Sequence, residues 1–298
     1  MCGIVGIRLK DPDLEPRLGE LVVPMLDMLE SRGPDSTGVA VYGRDCPPGW
    51  RKYSLRAPEE GYDWEAAAGR LADRLGVPVE LRRRGRDAIA LSTAPVADML
   101  AALEATESSL QLFGYGTAIE VFKDVGPALA VCERYGVGSM AGYQAIGHTR
   151  MATESAVTTE HSHPFAPGPD LALVHNGSFS NYASVRRDLL DSGVLFATDN
   201  DSEVAARYID ARLEAGDDLA EALRHVLKVF DGFFTLLVST ADSIAVVRDS
   251  FACKPMVVAE TDGYVAVASE YVALAELPGI EKADVFEPMP EEIHAWGS

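Results

Sequence analysis

Short apolar runs divided by polar turns fill most of the chain, and their spacing predicts its elements. Residues 3–8 (GIVGIR) read as a buried strand, and LGELVVPMLDMLESR (18–32) is apolar at helical spacing, interrupted by Pro24. RGPDSTG (32–38) is turn chemistry, Gly-Pro and then Asp before Ser, leading into the strand GVAVYG. Between about 51 and 130 the texture alternates. KYSLRA, VPVELRRRG and DAIALST read as strands, WEAAAGRLADRLG and PVADMLAALEATES as helices. That alternation predicts an inserted α+β subdomain. LQLFGYGTAIEVFKDVG and the helix PALAVCERYG follow. The second half is β-rich: YQAIGHTRMAT, LALVHNGSF, FFTLLVST, SIAVVRDS, KPMVVAET and GYVAVASE are short runs bounded by turn residues. Two long helices, DSEVAARYIDARLEAG and DLAEALRHVLKVF, sit among them. Consecutive strands with few crossover helices predict an α+β fold of antiparallel sheets with helices packed outside.

Charge narrows the partners. The formal net charge of the 298 residues is −20. An acidic surface argues against nucleic acid and anionic membranes, which attract basic ones. It serves solubility or faces a basic partner subunit. No run approaches the ~20 apolar residues of a membrane span, and nothing reads as a signal peptide, so the expected location is the cytoplasm. Cys2, Cys46, Cys132 and Cys253 form no CxxC pair, which excludes a zinc ribbon or redox dithiol as a reading. Gly136-Val137-Gly138 lacks the GxGxxG pattern of a nicotinamide site.

Four polar clusters close apolar strands: GHTRMATES (147–155), HSHPF (161–165), HNGSFSNY (175–182) and TDNDSE (198–203). Strand ends are where scaffolds present chemistry. Cys2 is either a core thiol at a strand start or a nucleophile. If an aminopeptidase removes Met1, one residue carries a thiol with a pKa near ~8.5 beside an α-amine near ~7.7–8.0. The amine is then a usable base next to its nucleophile. Arg150 is a surface charge or a bidentate carboxylate ligand. Asn176-Gly177 is a hairpin turn or a donor pair for a developing oxyanion. Asp201 or Ser202 caps the helix that follows, or the acid pairs with a substrate ammonium. His161 and His163 form an HxH that invites a metal. No third ligand of suitable spacing appears, so no metal is expected. His163, fixed by Pro164, is placed in a pocket wall.

The order of these clusters is more specific than any one of them. MCGIVGI, RGPDSTG, GHTRMAT, HP, HNG, DSE, VRDS…KP and ASE, in that sequence, resemble the class II glutamine amidotransferase family over residues 2–43 and 144–271. The resemblance implies an N-terminal-nucleophile αββα sandwich of two antiparallel sheets, with an α+β insertion. It implies Cys2 as nucleophile with its α-amine as base. Arg150 would bind the glutamine carboxylate, Asp201 its ammonium, and Asn176 and Gly177 the oxyanion. Thr153 and His163 would line or support the pocket, and Arg32 would order the loop near Cys2.

Departures from the family pattern bear on the partner. Met151 stands where many members carry an aromatic, and Asn200 precedes the DSE element. The segment 44–143 is long, and with YGTAIEVFKDVG and CERYGVG it looks like the stand-alone amidotransferase subunits of glutamate-synthase-type complexes, N-methylglutamate synthase among them. This implies L-glutamine as substrate and no cofactor in this chain. Flavin (FMN), with an iron–sulfur cluster as a second candidate, is expected on the synthase subunits of a hetero-oligomer. No synthase domain follows residue 298, so the ammonia-using site is expected on another chain. LRRRGR (81–86) is a partner contact or a solvated strand end.

Overall fold

The structure, a computed structural model, describes residues 2–152 and 157–297, so Met1 and Thr153 lie outside the described residues. In chain order the elements are β1 (Gly3–Leu9), α1 (Leu18–Met28), β2 (Ser36–Tyr42), β3 (Arg51–Arg56), α2 (Trp64–Leu75), β4 (Val79–Arg84), β5 (Asp87–Ser92), α3 (Val96–Thr106), β6 (Gln111–Gly116), β7 (Ile119–Val125) and α4 (Ala128–Tyr135). The second half contributes β8 (Gln144–Arg150), β9 (Ala172–Phe179), α5 (Tyr182–Asp191), α6 (Asp201–Glu214), α7 (Leu219–Val229), β10 (Gly232–Ser239), β11 (Ser243–Arg248), β12 (Val257–Glu260), β13 (Tyr264–Ala268), β14 (Asp284–Phe286) and β15 (Ile293–Gly297).

A seven-stranded sheet runs β14-β12-β13-β1-β8-β2-β7, and a four-stranded one β15-β11-β10-β9. The two stack face to face. Ile4, Ile146 and Val267 of the large sheet meet Val174, Leu237 and Val246 of the smaller one in a single core. On the far side of the large sheet, Val5, Ile7 and Val39 pack on Leu21, Met25 and Leu26 of α1 and Val131 of α4. On the far side of the small sheet, Leu236, Val238 and Val247 pack on Val204 and Ile209 of α6 and Leu223 and Val226 of α7. The layers are therefore helix, sheet, sheet, helix. Both faces of β1 are covered, which is why it reads as a continuous apolar run rather than an alternation. Gly6 faces the smaller sheet with no room for a side chain: a Cβ there would stand 2.6 Å from the Leu237 side chain.

A third sheet, β4-β5-β3-β6, carries α2 and α3 on a core of its own that includes Tyr53, Trp64, Leu71, Met99 and Leu103. It occupies residues 51–116, and the chain then rejoins the large sheet, where β7 pairs with β2. The subdomain expected over about 51–130 thus ends earlier. The apolar run IEVFKDV packs as an edge strand of the main sandwich instead. Departure and return are adjacent, since Tyr42 and Ile119 are partners across the β2–β7 ladder. Arg56 of β3 ties the third sheet to the sandwich from a buried position. It donates to Asp87 Oδ1 at 3.3 Å, Asp124 Oδ1 at 2.8 Å and the Tyr135 hydroxyl at 2.7 Å.

Candidate active site

Cys2 immediately precedes β1, the strand flanked by β13 and β8 in the middle of the large sheet. Two donors hold its carbonyl oxygen: Arg32 Nε at 3.0 Å and Asn176 Nδ2 at 3.0 Å. Arg32 also pairs with Glu270. Asn176 Nδ2 donates a second hydrogen bond to Ser269 Oγ at 3.1 Å, and that oxygen accepts from the Ile4 N–H at 2.9 Å. The ASE motif thus braces Cys2 through both Ser269 and Glu270. The Cys2 thiol sits on the Met151 peptide, with Sγ accepting from Met151 N–H at 3.4 Å.

The Asn-Gly pair is not a hairpin turn. Asn176 and Gly177 lie within β9, in unbroken register with Thr235 and Phe234 of β10. Tertiary pairing overrides the local turn signal. The glycine is required by the backbone: φ is +135°, and a Cβ would fall 1.8 Å from Phe233 O. Gly177 therefore presents bare backbone to the pocket, which Ser178 also lines.

Arg150 ends β8 and Asp201 begins α6, and both line one pocket of about 170 Å³ together with Cys2, Met151, His163, Tyr182 and Asp199. That size suits a small polar molecule better than a drug-sized or dinucleotide ligand. Burial pulls the Arg150 guanidinium below its ordinary pKa, while Cys2, Asp35 and Asp201 draw it back up. Asp201 Oδ2 accepts from the Phe179 N–H at 3.0 Å, and Oδ1 from Ser202 Oγ at 3.2 Å. The helix cap is Asn200, whose side chain accepts from Ser202 N–H at 2.9 Å, rather than Asp201 or Ser202. That leaves the Asp201 carboxylate on the pocket wall. The RGPD turn is fastened to the same strand end: Asp35 N–H donates to Arg150 O at 3.0 Å, and Asp35 Oδ2 accepts from Ala152 N–H at 2.8 Å.

Three buried histidines cluster here: His163 and His175 line the pocket, His148 lies beside His163, and sequence reasoning passed over His148 and His175. His163 stacks beside His148 with ring centroids 4.2 Å apart, edge-on to Phe165. His175 donates or accepts at Ser202 Oγ, 2.8 Å from Nδ1, and stacks on Phe179. Burial lowers the pKa of all three, that of His148 to about 3. His161, the other half of HxH, points elsewhere, to Asp199 Oδ1 at 2.8 Å and Thr158 Oγ1 at 2.8 Å. Among the described residues no cluster of His, Cys, Asp or Glu is arranged to hold a metal. His148, His175, Ser269 and Asp35 all lie inside the motifs GHTR, HNG, ASE and RGPD, which is the signal that could have found them.

Five of the expected site residues, Cys2, Arg150, His163, Gly177 and Asp201, line the pocket. Asn176 and Arg32 lie against Cys2 just outside it. Comparison with known proteins places the chain in a family. The family model described as glutamine amidotransferase domain matches residues 148–276. The chain is 46% identical over 297 residues to the glutamine amidotransferase-like protein GlxB of Rhizobium meliloti, covering 99% of this chain and 98% of that one. It is 33% identical over 314 residues to a putative glutamine amidotransferase of Methanothermobacter thermautotrophicus, covering 99% of both. Among solved structures, the glutamine phosphoribosylpyrophosphate amidotransferase of B. subtilis superimposes with a TM-score of 0.63 at 18% identity. All of this chain is covered there, and 47% of the other, so the chain spans about half of that enzyme and shares its fold. By near-full-length identity and by fold, the chain belongs to the glutamine amidotransferase family.

Proposed function

We propose that the chain hydrolyses L-glutamine to L-glutamate and ammonia through a Cys2 glutamyl thioester. The ammonia then passes to a separate synthase chain of a glutamate-synthase-like or N-methylglutamate synthase complex. The observation that carries the first half is the convergence of Cys2, Arg150 and Asp201 on one small pocket. A cation and an anion on its walls suit the two charged ends of a free amino acid. Cys2 then meets the side-chain amide. The acceptor side rests on the resemblance of the long segment to stand-alone subunits, and the flavin it implies belongs to the partners.

The reaction follows from these roles. With Met1 removed, the Cys2 α-amine takes the thiol proton. Sγ attacks the amide carbon, the C–S bond forms, and the carbonyl electrons move to oxygen. Asn176 Nδ2 and Gly177 N–H hold that oxyanion. Nδ2 already donates to Cys2 O and Ser269 Oγ, so it exchanges the serine for the oxyanion. Giving up a neutral hydrogen bond costs ~0.5–1.5 kcal/mol. An oxyanion donor contributes ~2.7–4 kcal/mol, so the exchange favours the transition state. The C–N bond breaks as the ammonium returns its proton to the leaving nitrogen. Water, deprotonated by the same amine, attacks the thioester, and glutamate departs with the thiol restored.

The test is glutamate and ammonia release from glutamine by the purified chain, alone and with candidate partners, together with its intact mass. Cys2→Ala with undiminished glutaminase activity overturns the reading. Full activity with Met1 quantitatively retained overturns the α-amine step alone.

A further inference from the structure

Asn176 is held at both ends of its side-chain amide, and the two ends agree. At one end Nδ2 meets the Cys2 carbonyl oxygen, which can only accept, so the nitrogen must face Cys2. At the other end Oδ1 lies 3.3 Å from His148 Nε2. That ring nitrogen also lies 3.1 Å from the His175 carbonyl oxygen, again an acceptor only. Nε2 must therefore carry a hydrogen, and the Asn176 atom facing it must be the oxygen. His148 Nδ1 is buried and has no hydrogen-bond partner among the described residues, as expected of the nitrogen that lacks the proton.

We propose that His148 is a positioning residue: its Nε2–H, clamped between His175 O and Asn176 Oδ1, fixes the amide of Asn176 with its donor nitrogen toward Cys2. A flipped amide would present Oδ1 to the Cys2 carbonyl and to the developing oxyanion, two repulsive contacts. The ring does this without charge, because burial keeps it neutral. A charged imidazolium is not needed for it. His148 is not among the residues that line the pocket. It acts through Asn176, and this role deepens the glutaminase reading and rests on it.

Two variants separate the donor from mere packing. His148→Phe keeps a planar ring and removes the donor, and His148→Gln restores an N–H of similar reach. The expected result is a kcat about 10–100-fold lower for His148→Phe with KM for glutamine little changed. That is below the ~10²–10³ lost with an oxyanion donor itself. His148→Gln should recover most of it. In an Asn176→Ala background, His148→Phe should cost nothing further, because its only route is gone. Equal losses in both backgrounds, or no recovery by glutamine, overturn the proposal. A readout independent of turnover is ¹⁵N NMR of the wild-type ring. It should show Nε2 protonated and Nδ1 bare, with the Asn176 side-chain NH₂ protected from exchange and that protection lost in His148→Phe. A bare Nε2 overturns the positioning role even in an active enzyme. A protein with the expected ring and no glutaminase activity, alone or with partners, overturns the reaction and leaves the clamp standing.

Discussion

Arg32 and Asn176 grip the same atom. Both donate to the Cys2 carbonyl oxygen at 3.0 Å, one from the turn before β2 and the other from β9 in the opposite sheet. The nucleophile is thus fixed from both layers of the sandwich. Arg32→Ala removes one grip and the Glu270 pair with it. A misplaced nucleophile costs up to ~10²-fold, so kcat should fall within that range while glutamine still binds. Steady-state kinetics check this; an unchanged kcat would show that Asn176 suffices.

Arg150 and Asp201 are expected to act on binding. Arg150→Lys loses the planar fork that pairs bidentately with a carboxylate. Hydrogen bonds to charged groups contribute ~1.5–3 kcal/mol, so kcat/KM should drop roughly 10–150-fold, mainly through KM. Asp201→Asn should behave alike. A γ-amide substrate lacking the α-carboxylate should be turned over equally by the wild type and Arg150→Lys. If the lysine variant still lags on that substrate, the arginine has another role.

Gly177→Ala should fail through the backbone. The added Cβ meets Phe233 O, and φ of +135° is strained for any L side chain. The β9–β10 ladder must shift, so the loss of stability should exceed the ~1 kcal/mol centre of point substitutions. Urea unfolding measures it. Ser178→Ala, one residue along, should unfold at nearly the wild-type midpoint.

Lys123 offers a pH test. Its ammonium is fully buried on β7, donating to Ser162 O at 2.8 Å and lying over the rings of Phe113 and Phe165. Burial lowers its pKa to about 7, against ~10.4 in the unfolded chain. Between those values the unfolded chain binds more protons, so this group makes stability rise as pH goes from about 7 to about 10. Below pH 7 its penalty is complete and flat. Lys123→Met should flatten that rise, seen as the wild-type minus variant unfolding free energy across pH 7–9.5. A difference that does not change with pH refutes the buried-amine account.

Much of this was legible in the chain. β1, β10, β11 and β13 are apolar on both faces because two layers cover them, and such runs are hard to read as anything but buried strands. The ordered motifs placed Cys2, Arg150, Gly177 and Asp201 before any geometry was known. What stayed hidden depends on contacts between distant residues. The Asn176–Gly177 turn signal yields only to β10, more than fifty residues later. The cap at Asn200 cannot be told from its neighbours in DNDS until a hydrogen bond selects it. The run IEVFKDV is equally apolar in either sheet, so the end of the third sheet at Gly116 has no local mark. His148 and His175 sit in strand stretches buried on both faces, where nothing local marks a polar ring as part of a site.

The pairing of Tyr42 with Ile119 has an evolutionary reading. Residues 43–118 leave and re-enter the ladder at facing positions, where an ordinary hairpin loop of 2–5 residues would close the gap. The excursion is thus a cassette plugged between two neighbouring strands, whose length the β2–β7 ladder does not fix. What any replacement must inherit is a lid for the buried Lys123 and Asp124, which the cassette now covers with Phe113 and Arg56.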